Sequence, residues 1–291
     1  MDAAAIASRL WPGSSPRIDV LGGGLTNHNY RVTLEDGAAY VIRIAGRGTE
    51  LLGIDRGLEH EAALVAAAAG VGPEVAGFVD GSLVTRFVEG EIVPPERMRS
   101  PDCLRRVGAA LATVHRAGEI AGRFDSFRVV EAYRDTALAR GGDVPERFGD
   151  AHELARRIEA TRAGAPLRLC HNDLLNANFI DGPDGIRIVD WEYAGMGDPF
   201  FDLANVAVNH ELDEAQSRTL LEAYAGEVRE DDERALTLMR FMSDFREAMW
   251  GVVQAAVSEL DVDFEAYARE HFDRLERTAA SPAFRDALAA A

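Results

Sequence analysis

His171, Asp173 and Asn178 stand in the order H-x-D-x-x-x-x-N, and Asp190 follows twelve residues after Asn178, at the end of the apolar run 186–189. Two carboxylates and an amide at this spacing suit the transfer of a phosphoryl group. That chemistry needs a held triphosphate, a magnesium ion and a positioned acceptor hydroxyl, and little covalent help from the protein. Magnesium takes hard oxygen ligands, often only one or two from side chains, with water and phosphate supplying the rest. Asp190 and the amide oxygen of Asn178 meet that demand. Asp173 is then free to orient the hydroxyl and accept its proton. His171 reads as an anchor for the loop rather than a proton carrier.

The flanking sequence places these residues. Residues 168–170 read as a strand end, 173–177 as a loop and 178–180 as a short strand. The segment 181–185, Asp-Gly-Pro-Asp-Gly, is a turn between two apolar runs. Strands of a hairpin run antiparallel, so Asn178, at the start of one, lies beside Asp190, at the end of the other.

The motif HNDLLNANFI, followed by IVDWEYAGMGDPFFDLAN, resembles the choline/ethanolamine kinase family within the wider aminoglycoside phosphotransferase-like group. The resemblance runs from Gly22 to about Asp273. It implies an α+β, protein-kinase-like two-lobe fold. It also implies a catalytic Asp173, magnesium ligands Asn178 and Asp190, a supporting Asp202, and ATP and Mg2+ as cofactors. Trp191-Glu192 stands where protein kinases carry the Phe-Gly of D-F-G, and no A-P-E follows, which argues against a protein kinase.

The 291 residues suit two lobes, and 47% hydrophobic residues supply a core. The net charge is −18, and every basic residue is Arg, which removes any lysine-based chemistry. An acidic surface repels nucleic acid and anionic membranes and attracts cations, although solubility alone also accounts for it. Two cysteines form no disulfide framework, no run of about twenty apolar residues is present to span a bilayer, and no secretory signal opens the chain. Cytoplasm is the expected compartment.

In chain order, 17–21, 28–34, 39–44, 75–79 and 83–88 read as strands. Together with one helix at 61–69 they make a small N-terminal antiparallel sheet lobe, residues 1–90. Residues 91–291 read as a larger, mainly helical C-terminal lobe, with helices at 100–117, 147–163, 198–208, 213–224, 230–259, 263–278 and 281–290. His115 reads as a capping or core residue, 123–144 carry no clear periodicity, and 46–57 read as a mobile loop.

A glycine-rich loop between strands, 22–27, can wrap backbone amides around phosphates or simply be a loose hairpin. The resemblance matches it to the family's G-G-[LM]-[ST]-N segment, hence Thr26 and Asn27 at the nucleotide. It matches Arg43 to a strand Arg that grips phosphates, which a guanidinium does through two oxygens. Such an Arg needs an acidic partner. Glu61 is the expected one, and Glu59, two residues away on the same helix, is its rival. The connector of such kinases binds the adenine edge, which points to Arg86, Phe87 and Val88.

Residues 249–268 read either as helices with core aromatics or, by the resemblance, as the wall that holds the substrate's ammonium head. Trp250 and Tyr267 match that wall, and Tyr193 lies near Asp190. Ammonium groups bind aromatic faces, and an acid strengthens the site; Glu192, Asp244 and Glu247 are available. Glu247 stands where eukaryotic members carry a second Trp. The expected activity is ATP-dependent phosphorylation of a small cationic amino alcohol. Choline comes first, with ethanolamine, thiamine or an aminoglycoside as alternatives. A nucleotide-binding pseudokinase is the reading from another class. The oligomeric state leaves no mark on the sequence.

Overall fold

The computed structural model describes residues 2–22, 27–46 and 48–290. The N-terminal part begins with helix α1 (Ala3–Leu10), capped by the Asp2 side chain. Strands β1 (Arg17–Leu21), β2 (Asn27–Thr33), β3 (Ala39–Ala45), β4 (Val75–Val79) and β5 (Ser82–Arg86) follow, with helix α2 (Arg56–Ala68) between β3 and β4. They form one antiparallel sheet in the order β1-β2-β3-β5-β4. The alternation Tyr40, Ile42, Ile44 buries Ile42 fully against Ile6, Val32 and Val84 in a small core of its own. The Gly-rich loop assigned to phosphate, with Thr26, falls on residues 23–26, outside the described residues.

Two expectations for this region are corrected. Helix α2 starts at Arg56 rather than 61, because Asp55 accepts the Gly57 and Leu58 N–H groups and so supplies the cap one turn earlier. The stretch 46–57 carries a single helical turn, Thr49–Leu52, and buries Leu52 and Ile54 in the large core, so its described part is tied down.

The rest is mainly helical. Strand β6 (Glu91–Ile92) follows the connector. Helices α3 (Pro95–Met98), α4 (Pro101–Val114), α5 (Ser126–Ala139) and α6 (Phe148–Thr161) lead to strands β7 (Arg168–Cys170), β8 (Phe179–Gly182), β9 (Gly185–Ile188) and β10 (Gly195–Gly197). Helices α7 (Pro199–Asn209), α8 (Glu214–Ala225), α9 (Glu230–Val257), α10 (Phe264–Ala280) and α11 (Pro282–Ala289) close the chain. The long helix α9 is buried over most of its surface from Ala235 to Gln254 and is the post around which α5, α7 and α10 pack. No helix among the described residues is long and apolar enough to cross a membrane.

Strand β6 belongs to the C-terminal part, since Glu91 and Ile92 pair with Asp181 and Ile180 of β8. At this crossing Gly90 adopts φ 155°, and a Cβ there would lie 2.5 Å from the Asp181 carbonyl oxygen. Backbone so close leaves no room for a side chain, and the positive φ favours glycine. Gly90→Ala is therefore expected to destabilise the protein by about 1–3 kcal/mol. Denaturant or thermal unfolding against the parent chain checks this.

Candidate active site

The loop after β7 is held from beneath. Asp202, in the first turn of α7, is fully buried. Its carboxylate accepts the backbone N–H groups of His171 and Asn172 at 2.8 and 2.7 Å. His115 Nε2 lies 3.0 Å from the same carboxylate, and its Nδ1 meets the Tyr224 hydroxyl, so His115 is a core residue with a buried polar partner on each side. Asn205, one turn further along α7, accepts the Leu174 N–H and donates to Ser243 Oγ of α9. Asn172 takes the left-handed conformation (φ 68°), which turns the chain so that Asp173 reaches the cleft.

His171 is held by bonds that define its tautomer. Nε2 donates to the Val189 carbonyl at 2.9 Å, and Nδ1 accepts the Asp173 N–H at 3.2 Å. Burial lowers its pKa below the ordinary imidazole value, so the ring stays neutral as a strut between the loop and β9.

Asp173, Asn178 and Asp190 come together on the wall of a cleft of about 660 Å³. Phe179 pairs with Ile188, and the Val189 N–H donates to the Asn178 carbonyl, so the hairpin sets Asn178 beside the chain that leads into Asp190. Asn178 Nδ2 donates to the Asp173 carbonyl at 2.8 Å, so the donor end of the amide is taken up by the loop and the amide oxygen is the other end. Asp190 sits at φ 71°, a strained conformation for a residue with a side chain and one that clusters at functional sites. Burial raises the Asp173 carboxyl to about 7; Arg246 opposes the shift, and Glu247, Asp190 and Glu192 add to it.

Arg43 reaches from β3 and is almost fully buried. Its guanidinium pairs with Glu59 Oε1 at 2.5 Å and with Asp190. Glu59 also takes Arg56 at 2.6 Å; Arg56 in turn lies 3.1 Å from Glu192 and donates to Asn27. Asn27 donates to Glu192 at 2.9 Å. The expectation that Glu61 holds Arg43 is thus corrected in favour of Glu59. Two residues along a helix turn the side chain by about 200°, so Glu59 faces the sheet and is 1% exposed. Glu61 points to solvent and accepts the Ala121 N–H. Arg56, which no motif singled out, is the second cation of this network.

The connector lines the same cleft with Arg86, Phe87 and Val88. The Arg86 side chain itself turns outward to Tyr40. On the other wall stand Tyr193, Glu192, Glu247, Trp250 and Tyr267. Trp250 Nε1 donates to the Tyr193 hydroxyl at 3.1 Å and meets Tyr267 edge to face at 5.5 Å. Glu247 accepts the Tyr267 hydroxyl at 2.8 Å and pairs with Arg246 at 2.5 Å. Burial alone would raise the Glu247 carboxyl, but Arg246, His271 and the Tyr267 hydroxyl outweigh it and hold it below its ordinary value.

Asp244 is corrected: it does not line the cleft. It is buried between α9 and α10, where His271 and Arg274 hold its carboxylate. Arg246, absent from the expected site, does line the cleft.

The ion-pair assignment is testable without any substrate. Glu59→Gln leaves a buried and a partly buried guanidinium short of charge and is expected to cost about 3–5 kcal/mol. Glu61→Gln, at the surface, is expected to stay within about 0.5 kcal/mol. Urea unfolding of the two variants distinguishes them.

Comparison with known proteins places the fold in a family. Residues 17–238 match the Phosphotransferase enzyme family. The crystal structure of a choline/ethanolamine kinase family protein from Mesorhizobium loti is similar at a TM-score of 0.85 and 32% identity, over 99% of this chain and 96% of that one. Choline kinase LicA from Streptococcus pneumoniae shares the fold at a TM-score of 0.77 and 23% identity, over 95% of this chain and 96% of that one. Human ethanolamine kinase 1 is 26% identical over 309 residues, which are 91% of this chain and 68% of that protein. The chain belongs to the phosphotransferase enzyme family, and within it to the choline/ethanolamine kinases.

Proposed function

We propose that this kinase transfers the γ-phosphoryl group of ATP to the hydroxyl of a small cationic amino alcohol, with choline, which the sequence puts first, and ethanolamine as the acceptors to compare. One observation carries the reading: Asp173, Asn178 and Asp190 share a single cleft with the aromatic wall of Trp250, Tyr267 and Tyr193. A phosphoryl-transfer centre and a surface for an organic cation therefore face the same space.

Each residue then has a task. Asp173 accepts a hydrogen bond from the acceptor hydroxyl and takes its proton as the oxygen attacks the γ-phosphorus and ADP leaves. A carboxyl raised toward neutrality suits a base working near pH 7. Asn178 and Asp190 offer a hard-oxygen donor set that fits magnesium. When bound there, the ion neutralises phosphate charge. Arg43, held by Glu59, presents its guanidinium to the phosphates, and the backbone of Phe87 and Val88 receives the adenine edge. In this scheme residues 1–90 form the nucleotide lobe, and residues 91–291 supply catalysis and the acceptor site.

Asp173→Asn is expected to lower kcat by at least about a hundredfold while ATP binding by calorimetry stays within a few-fold. Near-normal turnover would remove Asp173 as the base. Because the base must be ionised, kcat/KM of the parent enzyme should fall as pH drops below about 7, following the raised Asp173 carboxyl. A pH profile flat down to pH 5 would contradict that. Trp250→Ala is expected to raise the acceptor KM by about tenfold or more and leave the ATP KM nearly unchanged. Steady-state ADP release, with each substrate varied in turn, separates the two effects.

A further inference from the structure

The acceptor wall already contains a cation of the protein's own. Arg246 projects from α9 and is 1% exposed. Its guanidinium lies 4.6 Å over the face of Tyr193. Nη1 pairs with Glu247 Oε1 at 2.5 Å and lies 3.5 Å from Asp173 Oδ1. Nε and Nη2 have no hydrogen-bond partner, so the ring, Glu247 and the longer contact to Asp173 are what hold this side chain in place. A cation over an aromatic ring uses its negative face. A second cation brought to Tyr193 would have to displace Arg246 or sit beside a like charge away from water, where such repulsion is strong.

The other two rings offer less than three free faces would. Trp250 and Tyr267 meet edge to face, and Trp250 and Phe264 form a second T-shaped pair at 5.7 Å. What the wall does offer is Glu247. An ionised carboxylate accepts about four hydrogen bonds, and Glu247 receives one from Arg246 and one from the Tyr267 hydroxyl. A primary ammonium can donate to it. A quaternary ammonium has no N–H, and its Coulomb attraction to Glu247 is already offset by Arg246.

We propose that Arg246 is a specificity-determining residue of the acceptor site. By covering Tyr193 and pairing with Glu247, it makes the site favour an amine that donates hydrogen bonds over a quaternary ammonium. This rests on the amino-alcohol reading above and narrows it to acceptors that keep at least one N–H.

The test is a series that differs only in methyl count: ethanolamine, its N-methyl and N,N-dimethyl derivatives, and choline, assayed by ADP release against a no-acceptor control. For the parent enzyme kcat/KM is expected to fall along the series, with the largest step where the last N–H is lost. Choline should be about tenfold to a hundredfold below ethanolamine, the worth of one hydrogen bond to a charged group. Arg246→Met should bring the ratio close to one, chiefly by lowering the choline KM. Glu247→Gln, which keeps the shape and removes the charge, should raise the ethanolamine KM more than that of choline. Should Arg246→Met fail to fold, the parent series and Glu247→Gln still decide. Choline as the best acceptor of the parent enzyme would overturn the inference and leave the amino-alcohol reading intact. So would a folded Arg246→Met with an unchanged ratio. Silence of the whole series, with ATP binding intact, would overturn the amino-alcohol reading and this inference with it.

Discussion

The site depends on one buried carboxylate. Asp202 has no access to water, and an ionised carboxyl in that position is sustainable only where donors replace its hydration. Two consecutive backbone amides of the loop, together with His115, do so. The consequence is mechanical as well as electrostatic. The loop cannot drift without uncovering a buried charge, so the backbone at His171 and Asn172 is fixed, and Asp173 is the next residue along. Asn172 completes the arrangement by donating its side-chain amide to the Tyr193 carbonyl at 3.0 Å, which ties the loop to a residue that lines the cleft.

A second set of charges is arranged on different terms. Arg43 and Arg56 share Glu59, while Asp190 and Glu192 complete the chain toward the cleft. The cations and anions alternate, so each guanidinium meets carboxylate oxygens on more than one side, the condition under which buried ion pairs are tolerated. Asp190 is the most exposed of these charged side chains, at 22%, and it is the one that the proposed scheme assigns to the metal ion.

The geometry of the stretch 168–190 was legible because it is local. A turn-forming run between two short apolar runs specifies a hairpin, and the hairpin brings Asn178 and Asp190 together. The helices of the C-terminal part were legible for the same reason, their caps and apolar stripes being written in consecutive residues. Helix α5 carried its signal too, a cap at Asp125 and a stripe of Val130, Tyr133 and Ala137, but the polar residues between them masked it. The choice between Glu59 and Glu61 turned on where α2 begins, which Asp55 sets. Asp244 and Arg246 lie two residues apart on a helix buried nearly all round, where every face is covered and no stripe tells which side meets the cleft. Only the packing of α10 against α9, with His271 and Arg274 waiting for Asp244, decides it.

The small sheet has a hydrophobic core of its own around Ile6, Val32, Ile42 and Val84, whereas Ala62 and Ala66 of α2 belong to the large core with α4, α7 and α9. Two cores in one chain make two cooperative units of unequal strength, and the smaller is the one that yields first. The seam between them passes between β3 and α2. Arg43 stands on one side of it and Glu59 on the other, so their bond is a latch across the seam. Breaking that bond costs the guanidinium its position and loosens the sheet from the body of the enzyme at the same stroke.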